Sequence, residues 1–474
     1  MILKLVNPPE VRGFSSDRDK AGGLGTMVPV GKLERGRLPN LPPLDLLYSA
    51  AIAEREGVRV EIVEALGEKL NGEGVLRRLS EPPPPDFIGI RVSLPSLSED
   101  LGLAMMIRKK FEAKVFLFGN AVKATEKDWP LLPEGIDVLR GEAEALIASY
   151  LRNERMPKEW QLVEDLDSLP FPAWHLVALQ DYAPKGRISQ GVFNLSTSRG
   201  CPKGCPMCPY FHTQGSHWRF QSPERVMNEI DWLYQLGMRR LQTRDPNLGL
   251  SRKRLDAIAE KLSQRSYRLH LAAETDLESL DRPLLEKLAR AGFGRILTGI
   301  ESGDPDCLRD IEQDKRALER SIENASICRE LGIEVVGFLL FGNPSESFES
   351  VERTVALTRE LPILTATSLM TPYPGTRSGE ESVKSGRFSF QGDYHQYGGK
   401  GCLISSRHLS GKELSLAYRW AEEELKIANR RKALENKKGW SLFRGNLGLF
   451  AFSLLHLPHS WRFQEAKKKG IRSR

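Results

Sequence analysis

Three of the six cysteines in this 474-residue chain fall on one short stretch: Cys201, Cys205 and Cys208 in TSRGCPKGCPMCPYFH. The spacing C-x3-C-x2-C lets one loop wrap a single metal centre, and Gly200 and Gly204 allow the tight backbone curvature this requires. No fourth protein ligand stands out. The residues leave three readings open. They are an iron–sulfur cluster with one iron free, a closed zinc site that recruits His212 (C-x3-H beyond Cys208), and a chance grouping of structural thiols. Further residues able to do chemistry follow downstream: Asp245 in TRDPN, Glu274 in YRLHLAAE, and Gly299 and Glu301 in ILTGIESG. A lone carboxylate is often only a helix cap or a solvated loop residue, but recurrence at successive strand ends favours a site.

A loop can act only where its neighbours hold it. From VFNLSTSRG onward, the strand-like runs RRLQTRDPN, YRLHLAAE, RILTGIES, EVVGFLLFG and ILTATSLMTPYPG alternate with helical patterns such as SPERVMNEIDWLYQLG and SFESVERTVALTREL. These make six consecutive βα steps, placed at residues 191–378. Open doubly wound sheets and partial or full barrels share that pattern, and both put chemistry at the carboxyl ends of their strands. The cysteine loop follows the first step.

Residues 1–155 show a second alternation, with ILKLVNPP, VRVEIVEA, FIGIRVS, KVFLFGN and IDVLRGEAE as buried strands. It predicts an α/β domain with a doubly wound parallel sheet. Its ligand belongs beyond the strand ends, at Asn7, Pro8, Pro9, Glu64, Ser93, Gly119, Asn120, Gly141 and Glu142. The run Pro82 to Pro85 reads as a rigid turn. Residues 156–190 lack periodicity and read as a connector.

Residues 379–474 read as a helical C-terminal region. SGKELSLAYRWAEEELKIANRRKALENK is a long helix with basic residues in its last turns, as the helix dipole favours. WSLFRGNLGLFAFSLLHLP, broken by Arg444, Gly445, Asn446 and Gly448, is a poor membrane span. With the basic end KKKGIRSR, it suits peripheral contact with anionic lipid, and it equally suits packing on the barrel. The chain carries a net charge of +7, with 40% hydrophobic and 28% charged residues. Its basic residues concentrate in this tail, so no nucleic-acid partner is expected. Few, uneven cysteines and an N-terminus, MILKLVNPPE, without a secretory signal predict a reducing, cytoplasmic setting.

On these motifs the chain resembles the radical S-adenosylmethionine (radical SAM) enzymes, whose defining loop is C-x3-C-x2-C after the first strand of a partial (β/α)6 barrel. The resemblance implies that Cys201, Cys205 and Cys208 hold a [4Fe–4S] cluster whose open iron is chelated by SAM. One electron, from a donor such as flavodoxin or ferredoxin, then cleaves SAM to a 5′-deoxyadenosyl radical. It also implies SAM contacts at Met207, Asp245, Glu274, Gly299 and Glu301. Two positions depart from the family. Asp245 stands where Gly-Gly-Glu is common, and Met207 where an aromatic residue often packs near adenine.

The preceding domain is similar to that of the cobalamin-binding radical SAM enzymes, on NPP after the first strand, LPPLDLLYSAA opening a helix and GEAE after the fifth strand. This implies cobalamin at the strand-end residues named above. Residues 1–174 contain no histidine, so no imidazole of that domain could reach cobalt. A sheet domain without a ligand is the bland alternative. No cysteine precedes Cys201, unlike in the tRNA methylthiotransferases, and Cys307, Cys328 and Cys402 are isolated packing residues, so one cluster is expected. The implied reaction is methylation of an unactivated carbon of a small-molecule or lipid-type substrate. Oxidative cyclisation or carbon-skeleton rearrangement is the alternative within the resemblance. Outside it stands a zinc-stabilised cobalamin-binding module without turnover.

Overall fold

The computed structural model describes residues 1–19, 21–29, 41–125, 134–399, 404–434, 456 and 459–469. In the N-terminal part, β1 (Ile2–Asn7) is followed by an antiparallel hairpin, β2 (Phe14–Asp17) and β3 (Thr26–Pro29). Then come β4 (Arg59–Glu64), β5 (Phe87–Arg91), β6 (Lys114–Phe118) and β7 (Ile136–Val138). The hairpin stands apart, and the other five strands form one parallel sheet in the order β4-β1-β5-β6-β7. Leu3, Leu5, Val6, Ile88 and Ile90 are fully buried, as expected for strands covered on both faces. The order reverses direction between β1 and β5, so their carboxyl ends bound a crevice.

The second part opens with β8 (Phe193–Leu195) and a short antiparallel pair, β9 (Ser198–Arg199) and β10 (Arg219–Phe220). It continues with β11 (Arg240–Thr243), β12 (His270–Glu274), β13 (Phe293–Glu301), β14 (Glu334–Phe341) and β15 (Leu364–Leu369). Six of these strands pair in parallel in strictly sequential order, β8 to β11 and on to β15. Right-handed crossovers in sequential order place every helix on one face of the sheet and free the other for a site. This is the partial-barrel alternative rather than the doubly wound one; among the described residues no pairing joins β8 to β15. Ser222, Ser251, Asp281 and Ser347 each cap the first turn of a helix through the side chain, which stabilises each by about 1 kcal/mol.

The helix Gly411–Leu434 lies along β15, the outer strand of this sheet. Asn429 accepts from the Thr365 amide at 2.9 Å and donates to the Thr365 carbonyl at 2.8 Å. Lys432 Nζ donates to the Ile363 carbonyl at 2.9 Å. Residues 459–469 dock on the same region: Phe463 is fully buried, stacked on Trp420 at 4.0 Å and edge-on to Phe348 at 5.3 Å. Lys467 pairs with Glu352 at 2.5 Å. The described part of the tail therefore packs on the protein; residues 440–455, 457–458 and 470–474, on which the lipid-contact reading also falls, lie outside the described residues. No described helix is long and apolar enough to cross a membrane. Cys307 and Cys328 are fully buried, and Cys402 lies outside the described residues.

Candidate active site at the strand ends

The cysteine loop is held from below by Asp245. This fully buried carboxylate accepts from the Thr197 amide at 2.7 Å, the Thr197 hydroxyl at 2.9 Å and the Ser198 amide. Gly200 then turns with φ +79°, where an added Cβ would run into the His217 carbonyl. The Cys201 amide donates to Gly215, and the Cys208 amide to Cys205. All three thiols are free and half-buried. Burial first, and then neighbouring thiols and carboxylates, push Cys205 up to about 11 and Cys208 up to about 12. Burial also raises Cys201. Such thiols are neutral at pH 7, and bound iron is what would convert them to thiolates.

His212 does not face this set. Its ring lies against Gly375, where an added Cβ would collide with Nε2, and burial and Lys123 lower its pKa. The groups acting on the thiols are instead one another, Lys203, Asp276, Glu274 and Glu301. Among the described residues no three His, Cys, Asp or Glu side chains converge as ready-made metal ligands. The donor chemistry of three half-buried thiols on one glycine-hinged loop fits an iron–sulfur cluster with one iron left to a non-protein ligand.

Carboxylates line the strand ends beside the loop. Lys203 pairs with Asp276 and, at 3.3 Å, with Glu278, while Asn247 donates to Asp276 at 2.6 Å. Gln313 Nε2 reaches Cys205 Sγ at 3.9 Å and lines a cavity of about 30 Å³ with Asp276, Gly299 and Glu301. Glu301 adopts φ +61°, unusual for a residue with a side chain, at a register shift between β13 and β14. Its carboxyl folds back over Gly299. Burial, reinforced by Asp276 and Glu274, lifts it to about 7. The structure thus brings Glu274, Gly299 and Glu301 to the cysteine loop, with Met207 partly buried against the core. The Asp245 oxygens are bonded to Thr197 and Ser198, so in this structure Asp245 braces the start of the cysteine loop.

A second cavity, of about 90 Å³, lies between the two sheets, lined by Gly119, Asn120, Gly141 and Glu142 on one side and Ser196, Arg199 and Arg244 on the other. Glu142 is consumed by ion pairing: Arg219 forks onto it at 2.8 and 2.9 Å, and Arg199 approaches at 3.2 Å. Arg199 also donates to Glu144 at 2.8 Å. Five other strand-end residues named for the ligand of the N-terminal sheet stand outside this cavity. Asn7 donates to Glu64, whose second oxygen accepts from the Gly67 amide at 2.6 Å. Ser93 is bonded among Ser16, Ser96 and Asp100. Pro8 and Pro9 lead into the hairpin, and none of the five lines the cavity.

Arg18, Asp19, Asp45 and Arg244 also line the cavity, and no spacing in the sequence singled out these four charges. Arg199 was marked by its place two residues before Cys201. Gly119, at φ +118°, has no room for a Cβ beside the Val92 carbonyl, and Nε and Nη2 of buried Arg244 lack hydrogen-bond partners. A bare strand-end glycine, unspent donors and a histidine-free domain fit a large polar cofactor bound without an imidazole, such as cobalamin.

Comparison with known proteins agrees with this architecture. Residues 195–358 match the radical SAM superfamily. An uncharacterized methyltransferase of Pyrococcus horikoshii is 25% identical over 80% of this chain and 86% of its own length. The hopanoid C-2 methylase of Rhodopseudomonas palustris is 26% identical over 58% of this chain, which spans 54% of that relative. Two solved structures share the fold. The radical SAM methyltransferase TsrM from Kitasatospora setae, with tryptophan substrate and a SAM analogue, has a TM-score of 0.64 at 16% identity, covering 95% of this chain and 99% of TsrM. The cobalamin-dependent radical SAM enzyme OxsB, with aqua-cobalamin and SAM, has a TM-score of 0.69 at 14% identity, covering 96% and 71%.

Proposed function

We propose that this chain is a radical SAM enzyme, a cobalamin-dependent methyltransferase acting on an unactivated carbon of a small-molecule or lipid-type substrate. One observation carries the reading: the cysteine loop, at the end of the first barrel strand, is clamped through Arg199 to the GEAE turn of a histidine-free, doubly wound domain. The methylase and methyltransferase names of the relatives support the same reaction class.

Cys201, Cys205 and Cys208 hold the cluster, and Gln313 and Lys203 fix the loop from the substrate side. Gly299, lacking a Cβ, lets the Glu301 carboxyl lie over β13, and Glu301 and Glu274 supply carboxylates to the charged groups of SAM. The cluster, SAM and cobalamin supply electron transfer, radical generation and methyl transfer when bound. The electron comes from a small redox donor such as flavodoxin or ferredoxin.

Anaerobic reconstitution with iron, sulfide and hydroxocobalamin, followed by reduction with dithionite in the presence of SAM, tests the proposal. The protein should turn brown and convert SAM to 5′-deoxyadenosine, and SAM carrying a deuterated methyl group should label bound cobalamin. The triple variant Cys201→Ala, Cys205→Ala, Cys208→Ala should do neither, while Cys307→Ala should do both. A colourless, zinc-loaded protein without SAM cleavage would end the reading.

A further inference from the structure

The crevice at the carboxyl ends of β1, β5 and β6 is filled by the chain itself. Residues 14–19 and 21–29, which carry the hairpin strands β2 and β3, run across it. The Gly22 carbonyl accepts from Asn120 at 2.6 Å and from Thr213 at 2.7 Å, so one peptide joins both parts of the molecule. The Leu24 carbonyl accepts from the Leu94 amide at 2.7 Å, and Ser16 Oγ meets Ser93 Oγ at 2.6 Å. Asp19 pairs with Arg91 at the end of β5, and Asp17 stands 4.0 Å from Arg244. Gly22, Gly23 and Gly25 all have positive φ, and a Cβ there would press on Thr213, Asn120 and Ser16 respectively. What remains is the cavity of about 90 Å³, against roughly 300–1,000 Å³ for an ordinary ligand pocket.

The fit is close in shape and incomplete in polarity. Nε and Nη2 of Arg244 and Oδ1 of Asn7 and Asn194 beside the strap, and Nε of Arg18 on it, are buried without hydrogen bonds, although Arg18 Nη2 pairs with Asp100 at 2.7 Å. A half-satisfied buried polar network weakens the arrangement that contains it. The acceptors the strap offers, two carboxylates and two backbone carbonyls, are directed at Arg91, Arg244, Asn120, Thr213 and the Leu94 amide, on both sides of the crevice.

We propose that residues 14–19 and 21–29 form a displaceable plug whose acceptors stand in for those of the cofactor, and that cobalamin enters this crevice only by pushing the strap out. The inference rests on the cobalamin reading above. The peripheral carboxamides of cobalamin are acceptors of the same kind, and they take over the donors the strap releases.

The close approach of Ser16 and Ser93 supplies the test. In the full-length double variant Ser16→Cys, Ser93→Cys the two sulfurs fall where a disulfide can close. Oxidised glutathione, applied before cluster reconstitution, locks the strap, and wild type carried through the same oxidant is the control. Hydroxocobalamin retained through gel filtration is read by its absorbance. Wild type should retain about one equivalent, the locked variant less than a tenth of that, and the reduced variant should recover. Equal retention by locked and wild-type protein overturns the plug, whereas no retention by wild type removes the cobalamin reading and the plug with it. Hydrogen exchange of wild type provides a check free of substitutions. Saturating hydroxocobalamin should speed exchange in residues 21–29 at least tenfold, and unchanged protection there, with cobalamin bound, overturns the proposal.

Discussion

Arg199 Nη2 donates to Glu144 Oε1 at 2.8 Å, so the residue two positions before Cys201 is anchored in the other domain. Glu142 shares Arg199 and Arg219, and all four side chains are buried. Replacing Arg199 with Met leaves Glu144 without its charged partner, which should destabilise the protein by about 3–5 kcal/mol. Urea unfolding checks the loss. Iron bound per chain after reconstitution should fall in parallel, because the start of the cysteine loop loses its anchor.

Asp245→Asn separates a loop-holding role from a ligand role. Both backbone amides bond Oδ1, which Asn keeps. Its NH2 then faces the Thr197 hydroxyl that donated to Oδ2, and the charge opposite Arg254 is lost, which should cost about 1–3 kcal/mol. Thermal unfolding should show that loss, and iron retention should drop with it. SAM affinity of the fraction that keeps its cluster should stay near wild type. A selective loss of SAM binding with normal stability would contradict the role assigned here.

Glu229 introduces a pH dependence away from the cysteine loop. Burial is the main cause that raises its carboxyl from 4.5 to about 7, with the Tyr48 hydroxyl donating to it at 3.1 Å. The folded state favours the protonated form, so this contribution is fully present below about pH 4.5 and is lost as pH rises through about 7. The size is on the order of 3 kcal/mol. Glu229→Gln should remove that component, so the stability difference between pH 5 and pH 8 should shrink relative to wild type in urea titrations at the two pH values.

Phe463→Ala tests whether the tail belongs to the body. The ring is fully buried between Trp420 and Phe348, and its removal should cost about 3–5 kcal/mol if the docked segment unfolds with the rest. A changed melting temperature would establish that coupling. A tail that detaches alone would instead show as fast hydrogen exchange in residues 459–469 with the global transition unmoved.

The strands were legible because long apolar runs such as ILKLV and EVVGFLLF have few other places to go. The curvature of the second sheet was not, since counting βα steps does not reveal the order in which strands pair. The hairpin β2–β3 escaped because FSSD and TMVP lack an apolar alternation. Cys201, Cys205 and Cys208 announced themselves through spacing. Asp245 and Glu142 show the limit of that approach: a strand-end carboxylate looks the same whether it meets a ligand, a backbone amide or a distant arginine. Arg219 lies 77 positions from Glu142 along the chain, and no local pattern signals that pairing.

The embrace of Thr365 by Asn429 has a consequence for how molecules of this protein meet one another. β15 is the last strand of its sheet, and an outer strand offers unpaired amides and carbonyls to any extended chain nearby. Asn429 supplies both halves of the missing partner at one residue, and Lys432 covers another carbonyl. The C-terminal helix thereby acts as a guard against strand-to-strand self-association. A chain ending before Gly411 would lose a helix and also gain an adhesive edge, so aggregation, rather than lost activity, would be its first symptom.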